Sequence, residues 1–468
     1  MGPHMMSVAQ AARVLQGSCL GQDAEFTGVS TDSRKIANGD LFVALRGDSY
    51  DGHEFVRSAA QSGAVAAMVD KKFDAQQEKS ALTIALVVVD DTKRALGRLA
   101  QHWRLQFSPM LIAVAGSNGK TTTKEMLASI LRAAAGEAAV LATAGNLNNE
   151  IGLPLTLMRM RPAHRWCAIE LGMNHKGEIA YLAEIARPSI AVVTNAQREH
   201  LEFMGSVAEV AEENAAVLRA LGDEGIAVIN ADDAHADTFR KAAGARRVVD
   251  FALNRGASVT GRYDLAPLSS AVRIKCGADE VAATLAIPGV HNIMNALAAA
   301  ACAHAAGISS DAIGRGLSEF RPYTGRLQIK KTVEGMTVID DTYNANPDSV
   351  RAAIDVLCGS PGRTVLVLGD MGEVGDEGPD FHSEIGRYAK ECGVSSVLAL
   401  GESTAHTVAA YGQGARHFAT IEDLSAALER IRSEGTTVLV KGSRFMRMER
   451  VVAALTGTRS GGPAAEVH

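Results

Sequence analysis

The 468-residue chain lacks any cysteine pattern that could staple it or hold zinc. Its six cysteines, Cys19, Cys167, Cys276, Cys302, Cys358 and Cys392, are scattered, with no C-x-x-C pair and no Cys/His cluster at zinc spacing. This excludes a disulfide scaffold and leads us to expect a reducing, cytoplasmic setting. Long apolar runs are also missing: "ALAAAACAHAAG" (296 to 307) is short, alanine-rich and broken by His304, well under the roughly 20 residues of a membrane helix. A membrane span is therefore not expected. Basic excess is absent too, since the formal net charge is -6 and there is no basic arm, which argues against a sequence-independent grip on nucleic acid. The amino-terminal "MGPHM" has neither the apolar stretch nor the cleavage site of a signal peptide, reads as a cloning remnant, and is left out of the fold reasoning. No solenoid-length repeat occurs.

What is present is an ordinary globular composition, 47% hydrophobic and 21% charged, over a length that suits roughly three domains. The expected fold class is α/β. Residues 1–90 hold short β-like runs, "LFVALRG" and "AVAAMVD", with a turn at Asn38 to Asp40, and form a small α/β amino-terminal domain. Residues 108–321 alternate apolar strands ("LIAVAG", "WCAIELG", "IAVVTN") with helical segments, as in a P-loop-type parallel-sheet ATPase domain. "EFRPYTGRLQ" is a hinge, and residues 322–457 carry three buried-strand patterns ending in glycine, a Rossmann-like doubly wound domain. The last residues, "GTRSGGPAAEVH", show no core-forming pattern and are expected to fray.

The sharpest local signal is "AVAGSNGKTTTKEML" (113 to 127). A full P-loop would have glycine at 114, where this chain has Val114, leaving the shorter form G-S-N-G-K-T-T. The physics survives the departure. Gly116, Ser117, Asn118 and Gly119 let backbone N–H groups close on phosphate oxygens, and the following helix aims its positive end at them through Thr121 and Thr122. Lys120 suits the β- and γ-phosphates, and the Thr121 hydroxyl suits Mg²⁺. A nucleoside triphosphate is the expected ligand, but switches, motors, kinases and ligases all use such loops.

Other residues narrow the choice. Glu170 ends an apolar strand, where a carboxylate faces the crevice of an α/β sheet and offers Mg²⁺ an oxygen. His200 follows another strand end and could converge on Glu170; an imidazole also suits Mn²⁺, although spacing alone slightly favours a solvated or capped group. Asn292 and Asn295, three apart near a helix start, share a face and could offer amides to an adenine edge, unless Asn292 is only a cap.

Taken in order, "GSNGKTT", "ELGMNHKGEI", "HNIMNALAAAA", "TGRLQ" and "DDTYNANPDS" resemble the Mur ligases of peptidoglycan synthesis over about residues 25 to 455. Within that family the resemblance is best to the ligase that adds D-alanyl-D-alanine to UDP-N-acetylmuramoyl-tripeptide. It implies three domains, ATP with Mg²⁺, an acyl phosphate, amide-bond formation and small-molecule partners; a monomer is the separate expectation. It also implies that Lys120, Glu170, His200 and Arg326 are catalytic, with Thr121, Glu170 and His200 on the metal, Asn292 and Asn295 on adenine, Arg326 on the γ-phosphate and Asp341 on the ribose. Ser33, Arg34 and Gly47 would hold the UDP end, Thr143, Asn146, Asn148 and Asn149 the sugar and diphosphate, and Asn344 and Asn346 the incoming dipeptide. The D-N-P-R signature of the diamino-acid-adding relative is missing, which favours dipeptide addition.

One departure stands out: relatives carry a lysine, often carbamylated for a second metal, where this chain has Asn214 in "VAEENAAVL". Glu212, Glu213 or water remain open as substitutes. An amide ligase acting on folate or on another muramoyl peptide, and a nucleotide-driven switch, remain the competing expectations.

Overall fold

The computed structural model describes residues 4–47, 50–73 and 83–457, so the carboxy-terminal run beyond Gly457, expected to fray, lies outside the described residues. Three large sheets follow one another along the chain, besides a two-stranded pairing of Met6–Ser7 with Glu25–Phe26. The first has five strands in the spatial order Ser18–Leu20, Ala85–Val89, Ala66–Asp70, Asp40–Val43, Gly28–Ser30, parallel except for the first pair. The amino-terminal run set aside as a remnant is partly structural. Met5 N–H donates to the Phe26 carbonyl at 2.9 Å, Met6 pairs with Phe26, and both methionines are buried. An apolar side chain beside an unpaired strand edge is stabilised by filling it.

The central sheet has nine strands, and its order explains where a ligand can sit. Met110–Ala115 lies between Trp166–Glu170 on one side and Ile190–Val193 on the other, so the winding reverses at its carboxyl end. Such a reversal opens a crevice in a parallel sheet. The expectation of a parallel sheet needs one correction. Beyond Val259–Ala266 the strands Ser269–Cys276 and Asp279–Leu285 are antiparallel. Two-residue connections cannot make the crossover a parallel pair requires, and alternate residues along Ser269–Cys276 are buried, as in a sheet with one wet face.

The third sheet has six strands in the order Gln328–Lys331, Thr337–Asp341, Thr436–Lys441, Arg363–Gly369, Ser396–Leu400, Ala415–Phe418, with only the first pair antiparallel. Helices Ile421–Glu429 and Glu449–Thr456 cover one face with Leu424, Leu428 and Val451. Helices Pro347–Cys358 and Gly378–Glu391 cover the other, and their Val350, Ile354 and Ile385 join an apolar cluster that runs on into Ile293 and Leu297 of the central helix Val290–Ala305. The architecture is three-domain α/β, with a doubly wound last unit packed on the central one. No helix among the described residues is long and apolar enough to cross a membrane.

Candidate functional site

At the carboxyl end of Met110–Ala115 the chain turns through Gly116, at φ +127°, and Gly119, at φ +82°, into helix Lys120–Ala135. Neither glycine can be replaced cheaply. A β-carbon on Gly116 would lie 2.1 Å from Thr194 Oγ1 and 2.9 Å from Thr194 N, and one on Gly119 would lie 2.1 Å from Asn295 Oδ1. Gly116→Ala is therefore expected to lose about 1–3 kcal/mol through backbone strain, with the clash in addition, read as a fall in the thermal unfolding midpoint. An unchanged midpoint would mean the loop is laxer than this.

The loop is braced from outside. Gly116 N–H donates to Asn214 Oδ1 at 2.7 Å, and Asn118 N–H donates to Asn195 Oδ1 at 2.9 Å. Ser117 N–H donates to the Asn195 carbonyl at 3.0 Å, so three of the N–H groups expected to face phosphate are already engaged, which leaves the open first turn of the helix as the phosphate cradle. Asn214, where the family resemblance leads one to expect a lysine, is buried and shapes the loop; it does not face the cleft. The two glutamates considered as substitutes are elsewhere. Glu213 accepts Gly177 N–H and Ile179 N–H at 2.9 and 2.8 Å, capping helix Glu178–Ala186, and Glu212 pairs with Arg219 at 3.2 Å.

Lys120 Nζ donates to the Ser117 carbonyl at 2.8 Å and to Glu199 Oε1 at 2.9 Å. Thr121 Oγ1 donates to Glu170 Oε1 at 3.2 Å, and Asn148 Nδ2 reaches the same oxygen at 2.7 Å. Thr143 is buried, and its hydroxyl accepts Glu170 N–H at 3.0 Å while its carbonyl accepts from the fully buried Lys124 at 2.7 Å. Thr143 therefore positions Glu170 and does not line the cleft. Glu170 Oε2 and Glu199 Oε2 are both buried without a hydrogen-bond partner. A hydroxyl and two carboxylates with idle oxygens are the donor set a hard divalent cation takes, so these residues fit Mg²⁺.

His200, at φ +50°, heads the short helix Leu201–Met204. Its Nε2 is 3.6 Å from Glu199 Oε1 and its Nδ1 is 2.6 Å from Glu373 Oε2, a residue of the third unit. The ring beside it holds the Glu373 carboxyl below its ordinary range, against the opposing effect of burial. Arg326 reaches across as well: its guanidinium is 3.5 Å from Thr121 Oγ1 and stacks 4.0 Å over the Tyr343 ring. Asp341 accepts Leu327 N–H at 3.1 Å and the ammonium of Lys441 at 2.6 Å. Burial pulls the Lys441 ammonium below its ordinary value, and Asp341 opposes that.

Asn295 Nδ2 donates to Asn292 Oδ1 at 3.0 Å, so the two amides are joined on one helix face as their spacing implies. The helix cap is Gly289, not Asn292, whose Nδ2 donates to the Pro288 carbonyl at 2.7 Å. Asn346 caps helix Pro347–Cys358 and exchanges amide contacts of 3.0 and 3.3 Å with Asn118 of the loop.

These groups share one cleft of about 1410 Å³ between the central and third units. Ser117 to Thr122, Asn146, Asn148, Asn149, Glu170, His200, Asn292, Asn295, Arg326, Asp341, Asn344 and Asn346 all line it. Ser33, Arg34 and Gly47 do not: they lie in the first unit, where Arg34 is paired with Asp32 at 2.9 Å. Sequence reasoning missed Arg198, Glu199 and Glu373. Arg198 and Glu199 adjoin His200 in the chain, and a charge beside that histidine was their only signal; Glu373 had none. Of the six non-glycine residues with positive φ among the described residues, four (His200, Leu327, Glu373 and Arg447) line the cleft, a concentration typical of functional sites.

Known proteins resemble the chain in sequence and fold. Family models described as the Mur ligase family catalytic domain, the Mur ligase middle domain and the Mur ligase glutamate ligase domain match residues 25–104, 114–303 and 325–444. UDP-N-acetylmuramoyl-tripeptide--D-alanyl-D-alanine ligase of Escherichia coli strain K12 is 38% identical over 96% of this chain and 98% of its own length. A crystal structure of MurF from Acinetobacter baumannii superposes with a TM-score of 0.88 at 34% identity, covering 96% of this chain and 98% of that one. MurF ligase from Thermotoga maritima, in complex with ADP, gives a TM-score of 0.81 at 26% identity over 92% and 97%. With its three sheets, its phosphate loop and nearly its full length so matched, the chain belongs to the Mur ligase family.

Proposed function

We propose that the chain is an ATP-dependent ligase that joins D-alanyl-D-alanine to UDP-N-acetylmuramoyl-tripeptide, giving the UDP-muramoyl-pentapeptide of peptidoglycan synthesis. The observation that carries this reading is the single cleft. It brings the phosphate loop, Glu170 and the three asparagines 146, 148 and 149 of the central unit to face Arg326, Asn344 and Asn346 of the third. The relatives named for this activity support it, and the ADP held by the Thermotoga maritima relative supports ATP as the nucleotide.

Within the cleft, ATP phosphates take the helix amino terminus and draw Lys120 away from Glu199. Lys120 and Arg326 spread the charge as the γ-phosphoryl passes to the terminal carboxylate of the tripeptide, leaving ADP and an acyl phosphate. Thr121, Glu170 and His200, with the Glu199 carboxylate beside them, would hold Mg²⁺, which supplies neutralisation of phosphate charge when bound. The free amine of D-alanyl-D-alanine then attacks the acyl carbon, the tetrahedral intermediate collapses, inorganic phosphate leaves and the amine gives up its proton. Packing of the third unit over the cleft aligns the amine and limits water. Asn292 and Asn295 take adenine, Asp341 the ribose, and Ser33, Arg34 and Gly47 the UDP end. Residues 1–90, 108–321 and 322–457 thus act as binding units for precursor, ATP and dipeptide. The enzyme works as a cytoplasmic monomer, a setting supported by six free cysteines.

The test is phosphate release from ATP with both peptide substrates, omitting each in turn. Release is expected only in the complete mixture. Equal release without either acceptor, as a nucleotide switch would give, overturns the reading, and so does coupling to a single amino acid in place of the dipeptide.

A further inference from the structure

Glu373 belongs to the third unit, yet it sits on the central one. The loop that carries it is fixed at two points just before it: Met371 N–H donates to the buried His382 Nε2 at 3.0 Å, and Gly372 N–H donates to Ser443 Oγ at 2.7 Å. Its own backbone is left-handed at φ +59°, and its carbonyl accepts Glu202 N–H at 3.4 Å. So placed, its carboxylate lies 2.6 Å from His200 Nδ1, an ion-pair contact without the angles of a hydrogen bond, and His200 is itself left-handed at φ +50°. Two strained residues from two units meet side chain to side chain, and the other ring nitrogen, Nε2, is left on the side of Glu199 and Lys120.

We propose that Glu373 is a positioning residue for His200: its carboxylate, already in contact with Nδ1, accepts the Nδ1–H when the ring aligns on a cation, and so fixes the tautomer in which Nε2 presents its lone pair to a divalent cation at the phosphates. The inference rests on the ligase reading, and it assigns the third unit a second task, completing the cation-binding face of the central unit when it docks. A histidine that ligates a cation ordinarily donates its other ring N–H to a carboxylate, and loss of that carboxylate typically weakens metal affinity by about 10–100-fold. Docking and cation binding must then favour each other by the same factor, as any coupled pair of equilibria does.

The experiment is a Mn²⁺ titration of the full chain with ADP, followed by electron paramagnetic resonance, on wild type, H200A, E373A, E373Q, E373D and the H200A/E373A pair. Thermal unfolding of each variant confirms that it folds. The difference between wild type and H200A defines the His200-dependent binding. E373A and E373Q are expected to lose most of that difference, E373D to recover part of it, and the double variant to bind no more weakly than H200A alone. Mn²⁺ binding by E373A within twofold of wild type overturns the proposal, as does full additivity in the double variant or an H200A indistinguishable from wild type. Because the readout needs neither peptide substrate, its failure is separate from a failure of the ligase assignment, which phosphate release by the wild type decides.

Discussion

Lys120→Ala is expected to lower kcat/KM for ATP by about 10³-fold, the scale on which losing one preorganised charge from a developing phosphoryl transfer is felt. The structure adds a complication. Lys120 is the ammonium 2.9 Å from Glu199, whose other oxygen already has no partner. Removing the lysine leaves a carboxylate buried beside His200 with neither oxygen engaged by a cation, so the variant should also unfold more readily. The two effects separate in a pair of variants. Lys120→Ala/Glu199→Gln removes the stranded charge and should regain part of the lost thermal stability while remaining as inactive as Lys120→Ala. Phosphate release and thermal unfolding measured side by side decide it. If the double variant recovers activity, Lys120 serves to neutralise Glu199 and not the phosphates.

The contrast between Lys120 and Glu199 also shows which parts of the site were legible in the chain. The loop glycines, Lys120, Thr121 and Glu170 announce themselves because strand, turn and helix follow one another locally, and the residue at the end of a buried strand has only the crevice to face. Asn292 and Asn295 were legible for the same reason, through their helical spacing. The hairpins at 259–285 carried a signal as well, alternation joined by two-residue turns, but a run of helix-alternating strands before them favoured a parallel continuation. Glu199, Arg198 and Glu373 had no such marker. Their partners lie 79, 150 and 173 positions away in the chain, as the number differences Glu199–Lys120, Arg198–Asp348 and Glu373–His200 give, and nothing local fixes contacts of that range. Asn214 was visible only as a missing lysine. That it braces Gly116 follows from the inward face of helix Val207–Arg219, which the sequence pattern places but whose contact with the loop it does not.

Arg198→Ala should loosen the third unit from the central one. Arg198 fastens the two: its backbone N–H and guanidinium reach Asp348 at 2.9 and 2.6 Å, the guanidinium reaches Glu384 at 2.7 Å, and it stacks 5.2 Å over Phe381. Arg351 holds Glu384 from the other side at 3.0 Å. Burial lowers the affinity of Arg198 for its proton, but the Glu384 and Asp348 hydrogen bonds outweigh it and raise the pKa above the ordinary value, so the guanidinium remains charged at any working pH. An exposed pair would be worth under about 1 kcal/mol and a fully buried one about 3–5 when broken; this part-buried, bidentate network falls between, at about 2 kcal/mol. That is roughly a 30-fold shift in the docking equilibrium. The expected results are a larger radius of gyration in small-angle X-ray scattering, a raised KM for D-alanyl-D-alanine and a weaker grip on ADP with its cation, because Asp341 and Glu373 reach the cleft only from the docked third unit. The same clamp gives a pH dependence with a fixed sign. The hydrogen bond from Arg198 holds the Glu384 carboxyl below its ordinary value, so its contribution is complete above the free value of about 4.3 and is lost as pH falls through the lower, docked one. Acid should therefore expand the wild type below about pH 4 and leave Arg198→Ala, already loosened, less affected; a scattering profile that is the same for both proteins at neutral pH would remove Arg198 from the interface.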